Sequence, residues 1–148
     1  MIEQFIENWH KYLKGQLSGG LDELLDENVT FYSPVVYTPQ EGREITKLYL
    51  SAAAGTFGDD SGESGAASKP EASSTPDSFR YTKQVLSGNQ AVLEFESTVG
   101  GKYVNGVDII ECNDEGKVIE FKVMIRPLQA VNMVHQQMAK MLKKIQPE

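Results

Sequence analysis

Cysteine is nearly absent. Cys112 is the only one, so no internal disulfide can form and a reducing compartment is the expected home. Positive charge is short as well, with 14 Lys and Arg against 21 Asp and Glu and a net charge of -7, which argues against a binder of nucleic acid. Histidine is reduced to His10 and His135, with no second ligand type at a useful spacing, so no metal is expected. No apolar run has the length of a membrane span. Nor is there a Gly-rich phosphate loop, a nucleotide fingerprint or a Gly-x-Ser-x-Gly elbow, which removes nucleotide chemistry and the usual serine hydrolases. The opening Met1-Ile2-Glu3-Gln4-Phe5 has an early acid and no long apolar core, unlike a signal peptide. The expectation is a cytoplasmic protein, without cofactor, acting on neither nucleic acid nor membrane.

What is present is enough apolar material, 40% of 148 residues, for one core and one domain over 1–148. From Ile2 to Leu17, Ile2, Phe5, Ile6, Trp9, Leu13 and Leu17 recur at three- and four-residue steps and predict a helix. Leu21 to Asp26 predicts a short second helix, and Val29 to Ser33 a strand broken by Pro34. Ile45, Leu48, Tyr49 and Ala52 predict a third helix over Glu44 to Ala54. Between Gly58 and Ser78 the chain is almost all Gly, Ser, Ala, Pro, Asp and Glu, and is expected to be a disordered surface loop.

Phe79 to Leu86, Ala91 to Val99, Lys102 to Cys112 and Lys117 to Arg126 read as strands separated by short turns, an antiparallel meander. Pro127 fits the first position of a last helix, with Leu128, Val131, Val134, Met138, Met141, Leu142 and Ile145 along one face. Helices, then strands, then a helix give an α+β architecture. Period two separates the faces: Leu93, Phe95, Ser97 and Val99 share one, as do Val104, Gly106, Asp108 and Ile110, and Phe121, Val123 and Ile125. The opposite face carries Val107, Ile109 and Met124, a candidate partner surface, with Lys122 and Arg126 as its polar rim.

Within that pattern Asp108 is the odd residue. A lone carboxylate in the apolar run Val107-Asp108-Ile109-Ile110 must be paired, hydrogen-bonded or protonated. Desolvation among Val104, Ile110, Phe95 and Phe121 would lift an aspartate well above its usual pKa of about 3.9, where it can exchange a proton near neutral pH. The plainer reading ties it to a backbone amide or to a Tyr or Trp donor. Tyr32, Tyr37, Tyr49 and Tyr81 read as core residues more readily than site residues. His10, next to Trp9, reads as facing solvent more readily than the pocket mouth, His135 as partly buried, and Cys112, beside Glu111 and Asp114, as no nucleophile.

Three stretches carry a resemblance: Val29-Thr30-Phe31-Tyr32-Ser33-Pro34-Val35 leading into Gly42-Arg43-Glu44, Asn105-Gly106-Val107-Asp108-Ile109-Ile110, and Asp114-Glu115-Gly116-Lys117-Val118-Ile119-Glu120-Phe121. In order and spacing they resemble the nuclear transport factor 2-like superfamily, and within it the SnoaL-like proteins and their relatives the ketosteroid isomerases. The resemblance implies a cone: a curved antiparallel or mixed sheet wrapped around N-terminal helices, here with an added C-terminal helix, enclosing an apolar pocket, usually in a homodimer. It implies for Asp108 the role of a pocket acid, which in the isomerases stays protonated and donates to an oxyanion. The isomerases' general base precedes a Pro-Val, where this chain has Ser33, and a serine without an activating partner is a poor base. Their oxyanion tyrosine corresponds to Tyr12, with Trp9 a rival. SnoaL-like cyclases, with a single pocket acid, are the closer parallel.

The expectation is therefore an isomerase- or cyclase-type enzyme acting on a small hydrophobic carbonyl or polycyclic ligand. Asp108 is the catalytic candidate, and Trp9, Tyr12, Phe31, Ser33, Phe95 and Phe121 are the ligand-binding candidates. The alternative is a non-catalytic small-ligand-binding protein or a dimeric interaction module.

Overall fold

The computed structural model describes residues 2–57, 79–99 and 101–145; the loop expected over 58–78 lies outside them. Helix α1, Ile2–Leu13, buries Ile2, Phe5, Ile6 and Trp9, the stripe that its spacing predicts. It stops short of Leu17. The Gln16 amide donates to the Lys11 carbonyl at 2.8 Å and the Gly15 amide to the Tyr12 carbonyl at 2.9 Å. This closing pair requires the left-handed backbone that Gly15 supplies at φ 72.

Helix α2 is one turn, Leu21–Leu24, and strand β1, Leu25–Tyr32, follows without a spacer. The expected helix to Asp26 loses to the sheet, because Leu25 is extended and pairs with Val118. Strand β2, Gln40–Glu41, is too short and polar to show a period. Helix α3, Arg43–Phe57, leads toward β3, Arg80–Ser87, then β4, Gln90–Val99, β5, Lys102–Cys112, and β6, Val118–Arg126. The final helix, α4, spans Leu128–Ile145. Pro127 stands one position before it and accepts the first helical hydrogen bond, from Val131 at 3.0 Å.

The six strands form one open mixed sheet in the order β2-β1-β6-β5-β4-β3. All neighbours are antiparallel except β1 and β6, which run parallel. The last four strands are the predicted meander, and β5 begins and ends where its sequence pattern does. Its turn into β6 is fastened by Asn113, whose Oδ1 accepts from the Glu115 and Lys117 amides at 2.9 and 3.0 Å.

Two apolar clusters fill the inner side. The larger joins α1, α2, β1 and Leu50 of α3 to Leu93, Ile110 and Phe121. The smaller joins Ala52 of α3, Phe95, Val99 and Val104 to Ala130, Val134 and Met138 of α4. Phe121 lies under both Trp9 and Phe31, at ring-centroid distances of 5.3 and 6.0 Å. Truncating such a side chain to alanine costs about 3 to 5 kcal/mol. The outer face leaves Val92, Tyr103 and Met124 exposed and Val107 and Ile109 partly so. Polar cross-strand contacts border them: Asn105 donates to Glu94 at 3.0 Å and Arg126 to Asn105 at 2.8 Å. No helix among the described residues is long and apolar enough to cross a membrane.

Candidate active site

Along the inner face of β5, Val104 belongs to the smaller apolar cluster and Ile110 to the larger. Asp108 lies between them, opposite Leu93 on β4 and Val123 on β6. It is buried, with 6% of its surface exposed. Its Oδ2 accepts a hydrogen bond from the Tyr81 hydroxyl at 2.8 Å, and that hydroxyl oxygen accepts one from Trp9 Nε1 at 3.0 Å. Desolvation pushes the Asp108 carboxyl up to about 7, against the opposing pull of the Tyr81 hydrogen bond. Burial, then the charge of Asp108, drives the Tyr81 phenol well above its ordinary value, while the Trp9 bond acts the other way.

The second carboxylate oxygen differs. Asp108 Oδ1 takes no hydrogen bond from any described residue. It is not fully enclosed either, since among the described side chains only Arg43 Nε, which pairs with Asp22 Oδ1 at 3.8 Å, is both fully enclosed and without a hydrogen bond. Oδ1 thus keeps its hydrogen-bonding capacity unused among the described residues.

Trp9 stacks on Tyr12 at 5.4 Å, and burial raises the Tyr12 phenol. Phe31 meets Phe121 and, at 5.5 Å, Tyr49. Trp9, Tyr12, Phe31 and Phe121 therefore form one aromatic wall. Phe95 belongs to another group, stacked on Phe79 at 5.1 Å and edge-on to Tyr81 at 6.3 Å. Tyr81 joins the two walls and holds the acid between them. Ser33 is buried, but its Oγ accepts the Val35 amide at 3.1 Å in a local turn, so it is a turn residue rather than an activated hydroxyl.

Room for this arrangement comes from Gly106. A Cβ there would lie 2.5 Å from Phe95 Cζ, 2.7 Å from Ile125 Cγ2 and 2.7 Å from the Met124 carbonyl oxygen. The phase of β3 comes from a bulge. Tyr81 pairs with Phe95 but Lys83 with Glu94, so Thr82 is the extra residue. Leu86, opposite Ala91, and Tyr81, opposite Phe95, thus point inward together although five residues apart.

Tyr81 is the partner of Asp108 that the sequence did not single out among its tyrosines. His10, read as facing solvent more readily than the pocket mouth, is half-buried, with its ring edge-on to the Tyr81 ring at 5.9 Å. His135, expected to be partly buried, is exposed, and Tyr37 is 99% exposed rather than core. Lys122 lies over the Tyr32 ring at 4.8 Å. Cys112 is buried with its thiol pushed up to about 12, first by desolvation and then by Glu111. Among the described residues no three His, Cys, Asp or Glu side chains converge to hold a metal.

No family model matches the sequence, and no curated protein matches it. Solved structures do. The chain is similar to a steroid delta-isomerase from Pseudomonas aeruginosa at 24% identity and a TM-score of 0.81, over 99% of this chain and 95% of that one. It is similar to an NTF2-like protein of unknown function from Mesorhizobium loti at 17% identity and a TM-score of 0.61, over 85% of this chain and 93% of that one. An epoxide hydrolase/cyclase-like enzyme of pyran ring formation in polyether salinomycin is similar at 18% identity and a TM-score of 0.55, over 85% and 93%. The chain thus has the nuclear transport factor 2-like fold that the sequence resemblance implied.

Proposed function

We propose that this protein is a proton-moving enzyme of the isomerase or cyclase type, acting in the cytoplasm on a small, largely apolar ligand that carries a carbonyl. The observation behind this reading is Asp108 itself. It is a buried acid raised to about 7, with one oxygen held and the other without a hydrogen bond among the described residues. The ligand lies between α1 and the sheet, against Trp9, Tyr12, Phe31, Ser33, Phe95 and Phe121. The similarity to a steroid isomerase and to a cyclase-like enzyme supports the reaction class.

One acid suffices for such a step. As a nucleophile of the ligand adds to its own carbonyl carbon, the carbonyl oxygen takes the proton of Asp108, and the carboxylate so formed takes the nucleophile's proton. The C–O π bond breaks, one ring bond forms, and the acid is regenerated. A mechanism with a second carboxylate as base has no support at Ser33, whose hydroxyl is committed to a turn.

A second reading, a pocket that binds without reacting, draws on the same hydrogen bonds, because Tyr81 gives the buried acid a structural partner. Native mass spectrometry of the purified protein, with identification of whatever is released on denaturation, names the chemical class to assay. Asp108→Asn then separates the readings. We expect turnover to collapse while affinity stays within about tenfold, the pattern of a group needed only for chemistry. Turnover unchanged in the variant sinks the catalytic role of Asp108, whereas a parent that binds the released class of molecule and never turns it over is the binding protein.

A further inference from the structure

An indole N–H can only donate, so Tyr81 Oη is the acceptor in its 3.0 Å contact with Trp9. The hydroxyl has one hydrogen of its own, and Asp108 Oδ2, at 2.8 Å, is the acceptor the described residues offer it. The chain of donors therefore runs one way, from α1 through β3 to β5. An acid proton on Oδ2 would confront a hydroxyl hydrogen already aimed at that oxygen. Turning the hydroxyl away would leave a buried O–H without an acceptor among the described residues.

We infer that Trp9 and Tyr81 are positioning residues that hold Asp108 Oδ2 as a permanent acceptor, so that the acid's exchangeable proton resides on Oδ1. Neither needs to touch a ligand to do this. Their placement comes from features already described, the Thr82 bulge that turns Tyr81 inward and the aromatic stack that fixes the Trp9 ring. The consequence for a ligand rests on the proposed function. Asp108 meets the ligand with its proton-bearing oxygen, and so selects a hydrogen-bond acceptor, a carbonyl or the oxyanion it becomes.

The relay itself can be tested without a ligand, because Trp9 is the only tryptophan and its indole resonance needs no assignment. Of the other titratable side chains on the elements around the relay, those in ring contact with it are His10, against Tyr81, and Tyr12, against Trp9; Tyr49 lies one ring further off, against Phe31, and β4 and β6 face it with apolar Leu93, Phe95, Phe121 and Val123. In the unaltered protein the indole N–H resonance should move with pH at the same midpoint as the Asp108 carboxyl carbon, and His10→Gln should leave that coupling intact. In Tyr81→Phe the indole response should vanish and the Asp108 midpoint should rise, since the hydrogen bond that favours the carboxylate is gone. Trp9→Phe should raise the midpoint less, and the double variant should match Tyr81→Phe alone, because Trp9 acts only through Tyr81.

An indole resonance that stays flat through the Asp108 titration overturns the relay, and so does a coupling that disappears in His10→Gln. An Asp108 midpoint unmoved or lowered in Tyr81→Phe overturns it as well. If Tyr81→Phe does not fold, the titration of the unaltered protein decides alone. A relay that fails while Asp108→Asn still abolishes turnover spares the proposed function. A relay that holds while Asp108→Asn retains turnover removes the proposed function and leaves the positioning.

Discussion

Gly106 and Phe95 oppose each other across β4 and β5 so closely that a Cβ on residue 106 would stand 2.5 Å from Phe95 Cζ. The ring can turn aside, but the Met124 carbonyl oxygen at 2.7 Å is backbone and cannot move without bending β6. Gly106→Ala should therefore destabilise the protein by about 1 to 3 kcal/mol, the usual cost of overpacking a filled core. Urea unfolding measures this; an alanine variant as stable as the parent would mean that Phe95 has another place to lie.

Asp108 also sets a dependence of stability on pH. Its carboxyl is raised from 3.8 to about 7, so between those values the folded protein holds a proton that the unfolded chain has released. Stability from this group is accordingly highest at the acid end and declines as pH rises through 7. Above that, burying the carboxylate opposes folding by about 4 kcal/mol, from three pKa units at roughly 1.4 kcal/mol each. Asp108→Asn removes the titration. Relative to the parent, the variant should gain stability between pH 5 and pH 8, and parallel pH profiles would show that the acid is not held as described.

The outer sheet face yields a prediction of assembly. Val107 stands in register between Glu94 and Met124, and Met124 is 49% exposed. A lysine at 107 can pair with Glu94 inside one molecule, so the fold should survive, while the charge disfavours burial against a second copy. Light scattering should find the parent dimeric and Val107→Lys shifted toward monomer. A parent that is monomeric when dilute refutes the dimer.

Cys112 should be inert. With its side chain buried and its thiol pushed up to about 12, it offers a disulfide reagent neither access nor thiolate at pH 8. Labelling in native buffer should be slow and governed by opening of the fold, and immediate in denaturant. Rapid labelling of the native protein would place the thiol nearer the surface than it lies here.

Alternation of side chains located the meander and both of its faces, and a lone acid in an apolar run located Asp108. Those signals are local. Boundaries set by distant partners were not legible: Leu25 leaves the helix because Val118 awaits it, and α1 ends early because Gly15 closes it. Tyr81 was hidden by a physical cause of the same kind. Counting by twos from Leu86 puts Tyr81 on the outer face, and only the unpaired Thr82 corrects the count. His10 is half-buried because its neighbour Tyr81 arrives from β3, far along the chain.

The parallel pairing of β1 with β6 bears on how the chain reaches this state. Residues 80 to 126 can pair strand by strand through short turns, but Leu25 meets Val118 and Phe31 meets Phe121 only after most of the sequence is available. Closing so long a loop is entropically costly, and topologies rich in such contacts fold slowly for their size. The two halves of the inner face are joined by the same late event, since Phe31 and Trp9 both rest on Phe121. During synthesis, then, the carboxyl group of Asp108 exists first as an ordinary wetted acid and acquires its altered chemistry only when the earliest segment returns to cover the latest. The fluorescence of the single tryptophan should report that arrival as the slowest phase of refolding.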